Sequence, residues 1–267
     1  MIKKMETEKN NYTKLDHPDV LRFVFYPRKQ INSNRLSNVL DHKITVDEEV
    51  EIGGRFYLAG PADPHILFFH GNGEICSDYD DVGPIYNSFR INLLAVDYRG
   101  YGASGGFPGV SSMIRDAHVI LKDVIRWMKD QERTGPLVVM GRSLGSASAL
   151  ELASHHEPEI SGLIIESGFA YTVPLLNFLG VDTRSLGINE SDCLRHMEKI
   201  ARFSKPTLII HAEFDQFIPF SDAEALLKNS PSLKKEFMMV PEADHNSIMM
   251  MAGREYFEKI KNFIIQV

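Results

Sequence analysis

Gly141-Arg142-Ser143-Leu144-Gly145 follows Gly135-Pro136-Leu137-Val138-Val139-Met140 and precedes Ser146-Ala147-Ser148-Ala149-Leu150-Glu151-Leu152-Ala153. The preceding stretch is a turn signal followed by an apolar run of strand length. The following stretch is rich in small residues and reads as a helix able to pack closely on a sheet. A serine between the two occupies a tight strand-to-helix turn, which strains its backbone and presents its hydroxyl above the sheet. The glycines two before and two after it have a steric reason, since a Cβ at either would crowd the other. The pentapeptide alone is a weak signal. Its strand and helix flanks make it a nucleophile elbow with Ser143 as the nucleophile.

A serine hydroxyl attacks poorly unless a base takes its proton and a third group orients that base. Two later strands end in loops that supply both. Pro206-Thr207-Leu208-Ile209-Ile210-His211 is apolar, and the loop Ala212-Glu213-Phe214-Asp215-Gln216-Phe217-Ile218-Pro219 leaves its carboxyl end. Phe237-Met238-Met239-Val240-Pro241 closes another strand, and Glu242-Ala243-Asp244-His245-Asn246-Ser247 carries a histidine. The chain order Ser143, Asp215, His245 is that of a serine, acid and base triad on an α/β sheet.

With His70-Gly71-Asn72-Gly73-Glu74 and Asp97-Tyr98-Arg99-Gly100-Tyr101-Gly102, these motifs resemble those of serine hydrolases of the α/β-hydrolase superfamily. The likeness is to the compact branch with monoacylglycerol-lipase-like, serine-aminopeptidase-like (including proline-aminopeptidase-like) and acyl-thioesterase members. It spans about residues 44–265, and it is specific for fold and reaction type but poorly specific for substrate. It implies hydrolysis of a carboxylic ester or thioester through an acyl-Ser143 intermediate. The oxyanion would be held by the N–H of Leu144 and, at the position matching the family's motif, by Asn72, with Gly73 as the alternative. Glu166, at the end of an earlier strand, is a rival to Asp215 for the acid. The context of Asp215 matches the branch and that of Glu166 does not.

The rest of the chain alternates strand and helix signals, which indicates an α/β fold: a mostly parallel central sheet with helices on both faces. Residues 1–20 are polar and are expected to be a flexible N-terminal segment, followed by one domain over 21–267. Leu21–Pro27 is a short apolar segment expected to pack against that domain. Ile44–Ile52 alternates, Gly53-Gly54 reads as a hairpin turn, and Arg55–Ala59 returns. Ser111–Asp130 keeps a 3.6-residue apolar period with Ser111 as N-cap, and a last helix runs from about Gly253 to Ile264. Between the strand ending at Glu166 and the one starting at Thr207, residues 171–205 have no strand slot. The resemblance makes them a minimal lid, with Leu175, Leu176, Phe178 and Leu179 against the acyl group.

The chain has 267 residues, 43 % apolar and 24 % charged, with 29 basic against 36 acidic residues and a net charge of −7. That balance excludes nucleic acid as a partner. No apolar run approaches the ~20 residues that span a bilayer, and Met1–Asn10 lacks a signal core, so a cytoplasmic location is expected. Cys76 and Cys193 give no disulfide framework and read as free thiols. His70 and His211 end strands and read as structural, as do Asp97 and Arg99. His17, His42, His118, His155, His156 and His196 show no mutual spacing of a metal site, and His155-His156 suits a helix C-terminus. No metal, nucleotide or organic cofactor is expected. Amide hydrolysis is the rival reaction and would need an acid for the substrate amine, with Asp182, Glu190 and Asp192 as the lid candidates. A catalytically silent binding module is the remaining rival. Acyl length, leaving group and oligomeric state are left open by the sequence.

Overall fold

Eight strands form one sheet in the structure, a computed structural model that describes residues 12–30 and 38–267. In chain order they are β1 (Val39–Asp47), β2 (Val50–Tyr57), β3 (His65–Phe69), β4 (Asn92–Val96), β5 (Leu137–Arg142), β6 (Gly162–Glu166), β7 (Thr207–Ala212) and β8 (Lys235–Val240). Their spatial order is β1-β2-β4-β3-β5-β6-β7-β8. The pairs β1–β2 and β2–β4 are antiparallel and every later pair is parallel. The helices are α1 (Pro18–Val24), α2 (Gly83–Ser88), α3 (Val110–Asp130), α4 (Ser146–His155), α5 (Thr172–Phe178), α6 (His196–Ile200), α7 (Phe220–Asn229), α8 (Ile248–Ala252) and α9 (Arg254–Ile264).

Continuous apolar runs form the central strands because both sheet faces are covered. Successive side chains on β3 alternate between two cores. Leu67 and Phe69 join the α3 and α4 side with Val139 and Ile165, while Ile66 and Phe68 join the α9 side with Val138 and Ile164. On α9, Tyr256, Phe257, Ile260, Phe263 and Ile264 are buried, the face its spacing predicts. No helix among the described residues is long and apolar enough to cross a membrane.

Three local expectations change. The hairpin turn falls at Glu48-Glu49, and Gly53 and Gly54 lie inside β2, opposite Lys43 and His42. A Cβ on Gly53 would sit 3.0 Å from that of Ala103 and 3.3 Å from Asp97, so a close approach of the 97–103 loop requires glycine there. The N-cap of α3 is Gly109, which leaves Ser111 in the first turn. The segment expected to be loose over 1–20 folds from residue 12 onward, into a 3-10 turn at Tyr12–Lys14 and then α1. Tyr12, Leu15 and Val20 bury their apolar surface against the domain, which holds this stretch despite its polar composition. Residues 1–11 lie outside the described residues.

Candidate active site

β5 ends in the turn that carries Ser143. The serine has φ +51°, in the left-handed region that a side chain occupies only under constraint. A Cβ on Gly141 would lie 2.3 Å from the carbonyl oxygen of Gly145, so the two glycines do approach as the sequence implies. Gly145 has a second reason. Its Cβ would lie 2.0 Å from the carbonyl oxygen of Phe69, at the end of the neighbouring β3.

Three strand ends bring the distant residues together. His245 Nε2 is 2.9 Å from Ser143 Oγ, and His245 Nδ1 is 2.7 Å from Asp215 Oδ2. The other oxygen of Asp215 accepts the N–H groups of Phe217 (3.0 Å) and Ile218 (2.9 Å). The Asp215 side chain is fully buried. Burial alone would raise its pKa, but the hydrogen bond and charge of His245 and those two N–H donors outweigh it and hold the carboxyl below its ordinary value. The two loops are also tied to each other, since the N–H groups of Glu213 and Phe214 donate to the carbonyls of Val240 and Ala243. His211 lies behind Asp215 and bonds the Ile218 carbonyl at 3.0 Å, and burial lowers its pKa. That is the structural position expected of it.

Glu166 is not at this site. It is buried against Arg142 Nε (3.1 Å) and the Tyr256 hydroxyl, and burial raises its pKa. Arg142 is a hub that the sequence did not reveal. Its guanidinium also pairs with Glu74 and donates to the His245 carbonyl (2.8 Å) and the Asn246 side chain (3.1 Å). Glu74 in turn accepts the Gly71 N–H at 2.9 Å. One cation therefore joins the elbow, the loop after β3 and the loop of His245.

Asn72 lies beside Ser143 and Leu144 in the wall of the same cavity. Its side chain is held by Oδ1, which accepts the Tyr26 N–H (2.8 Å) and the Tyr101 hydroxyl (2.7 Å). The N–H of Leu144 is in the first turn of the 3-10 helix Ser143–Gly145, where amides have no acceptor within the helix. Cys76 and Cys193 are buried free thiols.

A cavity of about 250 Å³ opens at Ser143. Leu175, Leu176 and Leu179 line it, as expected, but Phe178 does not. The Phe178 side chain is 60 % exposed and meets the ring of Phe217 edge-on, because it lies on the outer face of α5. Val20 and Val24 of α1 complete the cover, and Met113 of α3 forms part of the wall. The α1 contribution had a legible signal. Val20 and Val24 are four apart after Pro18 at a helix start, which places them on one face. Among the described residues no carboxylate lines this cavity. Glu190 caps α5 by accepting the N–H groups of Thr172 and Val173, Asp182 accepts the Ser185 N–H, and Asp192 pairs with Lys14.

Residues 60–179 match a family model described as serine aminopeptidase, S33. The "alpha/beta hydrolase domain-containing protein 17C" of Xenopus tropicalis is 31% identical over 225 residues, covering 80% of this chain and 66% of that protein. The chain thus spans just under two thirds of the length of the curated relatives it matches. Among solved structures, an esterase of Pyrococcus furiosus superposes with a TM-score of 0.70 at 18% identity, over 90% of this chain and 98% of that one. A soluble variant of the monoglyceride lipase of Saccharomyces cerevisiae, bound to a substrate analogue, gives 0.68 at 16% identity, over 89% and 98%. At such identities the likeness to solved structures is one of fold. The sequence match includes the elbow and the fold match extends over nearly the whole chain, and on that agreement the fold is that of the α/β hydrolases.

Proposed function

We propose that this protein hydrolyses a carboxylic ester or thioester through an acyl-Ser143 intermediate. The observation that carries this reading is the unbroken line Ser143–His245–Asp215, at 2.9 and 2.7 Å, at the mouth of an apolar cavity. His245 Nε2 takes the hydroxyl proton as Ser143 Oγ attacks the carbonyl, and Asp215 keeps the other ring nitrogen protonated and the ring aligned. The amides of Leu144 and Asn72 receive the developing oxyanion. His245 then returns the proton to the leaving alcohol or thiol. A water activated by the same imidazole releases the acid. Leu175, Leu176 and Leu179 hold the acyl chain.

An ester fits this site better than an N-terminal peptide. No acidic side chain lines the cavity among the described residues to fix a substrate amine, and the three lid acids are engaged elsewhere. The esterase and the monoglyceride lipase among the structural neighbours agree with ester chemistry. A fluorophosphonate probe tests the nucleophile, with one label per chain expected at Ser143 and none in Ser143→Ala. Label on another serine would overturn the assignment. Parallel assays with p-nitrophenyl esters, acyl thioesters and aminoacyl anilides separate the reactions, and preferential cleavage of the anilides would reject the ester reading.

A further inference from the structure

The last turns of α4 hold a second cluster of chemically capable side chains. Glu151 and His155, four apart, share one face of the helix, and His118 of α3 reaches the same spot. Their ligand atoms lie within 4.8 Å of one another. The twelve-residue separation from Ser143 to His155 corresponds to roughly 18 Å of helix rise, so this cluster is remote from the elbow. We propose that His118, Glu151 and His155 form a binding site for a first-row transition-metal ion of the zinc class.

The distances suit such an ion. Bonds of about 2.0–2.1 Å in a tetrahedral site put neighbouring ligand atoms about 3.3 Å apart. His118 Nε2 lies 3.0 Å and His155 Nδ1 3.3 Å from the same carboxylate oxygen, Glu151 Oε1, and the ion would take His155 Nδ1 from its 2.9 Å contacts with the Glu151 backbone carbonyl and Ser154 Oγ. Outer partners hold two of the three ligands in place, as metal ligands require. His118 Nδ1 is 2.8 Å from His156 Nε2, so a proton carried on Nδ1 leaves the Nε2 lone pair for the metal. Glu151 Oε2 is 2.7 Å from Lys199 Nζ, which leaves Oε1 for coordination. The side chains of Glu151, His118 and His155 are 6%, 27% and 36% exposed, a gradient that gives the ion a way in and leaves a face for water. Two imidazoles with a single carboxylate favour zinc, nickel or cobalt and disfavour calcium and magnesium, which take oxygen ligands. Sequence spacing hides this grouping because 33 residues separate His118 from Glu151. The bland competitor is an ion-pair cluster in which Glu151 merely accepts from two imidazoles and Lys199.

Zinc titration of chelator-stripped protein against a chromophoric chelator, with thermal melting beside it, decides between them. The wild-type chain is expected to bind one Zn²⁺ and to melt at a higher temperature with it. Mg²⁺ and Ca²⁺ at the same concentration are expected to leave the melt unchanged. His118→Gln keeps a polar group facing Glu151, and His155→Ala alters a partly exposed position, so both should fold as judged by circular dichroism. Each is expected to lose about tenfold or more in zinc affinity, together with the thermal gain. His245→Ala should retain both. The proposal fails if the wild-type chain takes up no equivalent of zinc, or if His118→Gln and His155→Ala each bind it as tightly as the wild type. It fails equally if affinity disappears with His245, because the ion would then belong to the other site.

Discussion

Asp215 has every hydrogen-bonding position that matters in use: one oxygen on His245, the other on two backbone amides. Asp215→Asn keeps the shape and removes the charge that fixes the imidazole tautomer. The expected result is a folded protein whose kcat for ester hydrolysis falls on the order of 10⁴-fold, the scale of the corresponding change in a serine protease. Glu166→Gln, which touches neither His245 nor Ser143, should be mild by comparison, and steady-state kinetics on the two variants check the order. The same carboxylate acts on stability. Its folded pKa lies below that of an unfolded aspartate, about 3.9. The stabilisation is therefore complete above that value and is lost as pH falls through the folded one. Melting curves taken from neutral pH downward should show a shallower acid limb in Asp215→Asn. At this scale the sequence was legible for Ser143 and His245, whose neighbours leave little choice. It favoured Asp215 over Glu166 by context although each follows or ends a strand, and in the fold it is Asp215 that reaches the imidazole. Phe178 was misread because an apolar residue on a seven-residue helix does not disclose which face meets the cavity.

At the scale of elements, the site depends on strand ends being held to one another. The parallel register of β5 and β6 sets Arg142 beside Glu166, and the remaining arms of Arg142 reach Glu74 and the loop of His245. Arg142→Met would leave the buried Glu166 and the partly buried Glu74 without their cation, and removing one partner of a buried pair costs about 3–5 kcal/mol. The variant should melt well below the wild type. Adding Glu74→Gln and Glu166→Gln to it should recover part of that loss, because neutral amides tolerate burial better than carboxylates. A thermal melt of the single and triple variants checks both statements. The cover over the cavity gives a separate expectation. Each buried methylene of an acyl chain adds about 0.8 kcal/mol, or about fourfold in kcat/KM, until the cavity is full. Leu175→Trp should fill part of it and move the preferred ester toward shorter chains. Phe178→Ala, on the outer face, should leave the profile unchanged.

For the molecule as a whole, the alternation of apolar runs and amphipathic helices was enough to read a parallel sheet, because continuous burial leaves a continuous apolar signature. That reading also placed the loops of Ser143, Asp215 and His245 on the carboxyl side of the sheet, where residues 102 and 30 apart in sequence meet. Features set by contacts between distant segments were not legible. Gly53 and Gly54 looked like a turn because the loop that crowds Gly53 lies far along the chain. Arg142 looked like an anonymous member of the elbow. For α1 the spacing of Val20 and Val24 after Pro18 marked a shared helix face, but not what that face meets. Yet Val20 and Val24 belong to the cavity wall while standing outside the strand-and-loop framework that sets the triad. On the proposed reading, acyl preference and catalytic geometry would be set by separable parts of the chain. A library randomised at these two valines would sample new acyl selectivities without disturbing the chemistry, a modularity that an engineer, or natural variation, can exploit.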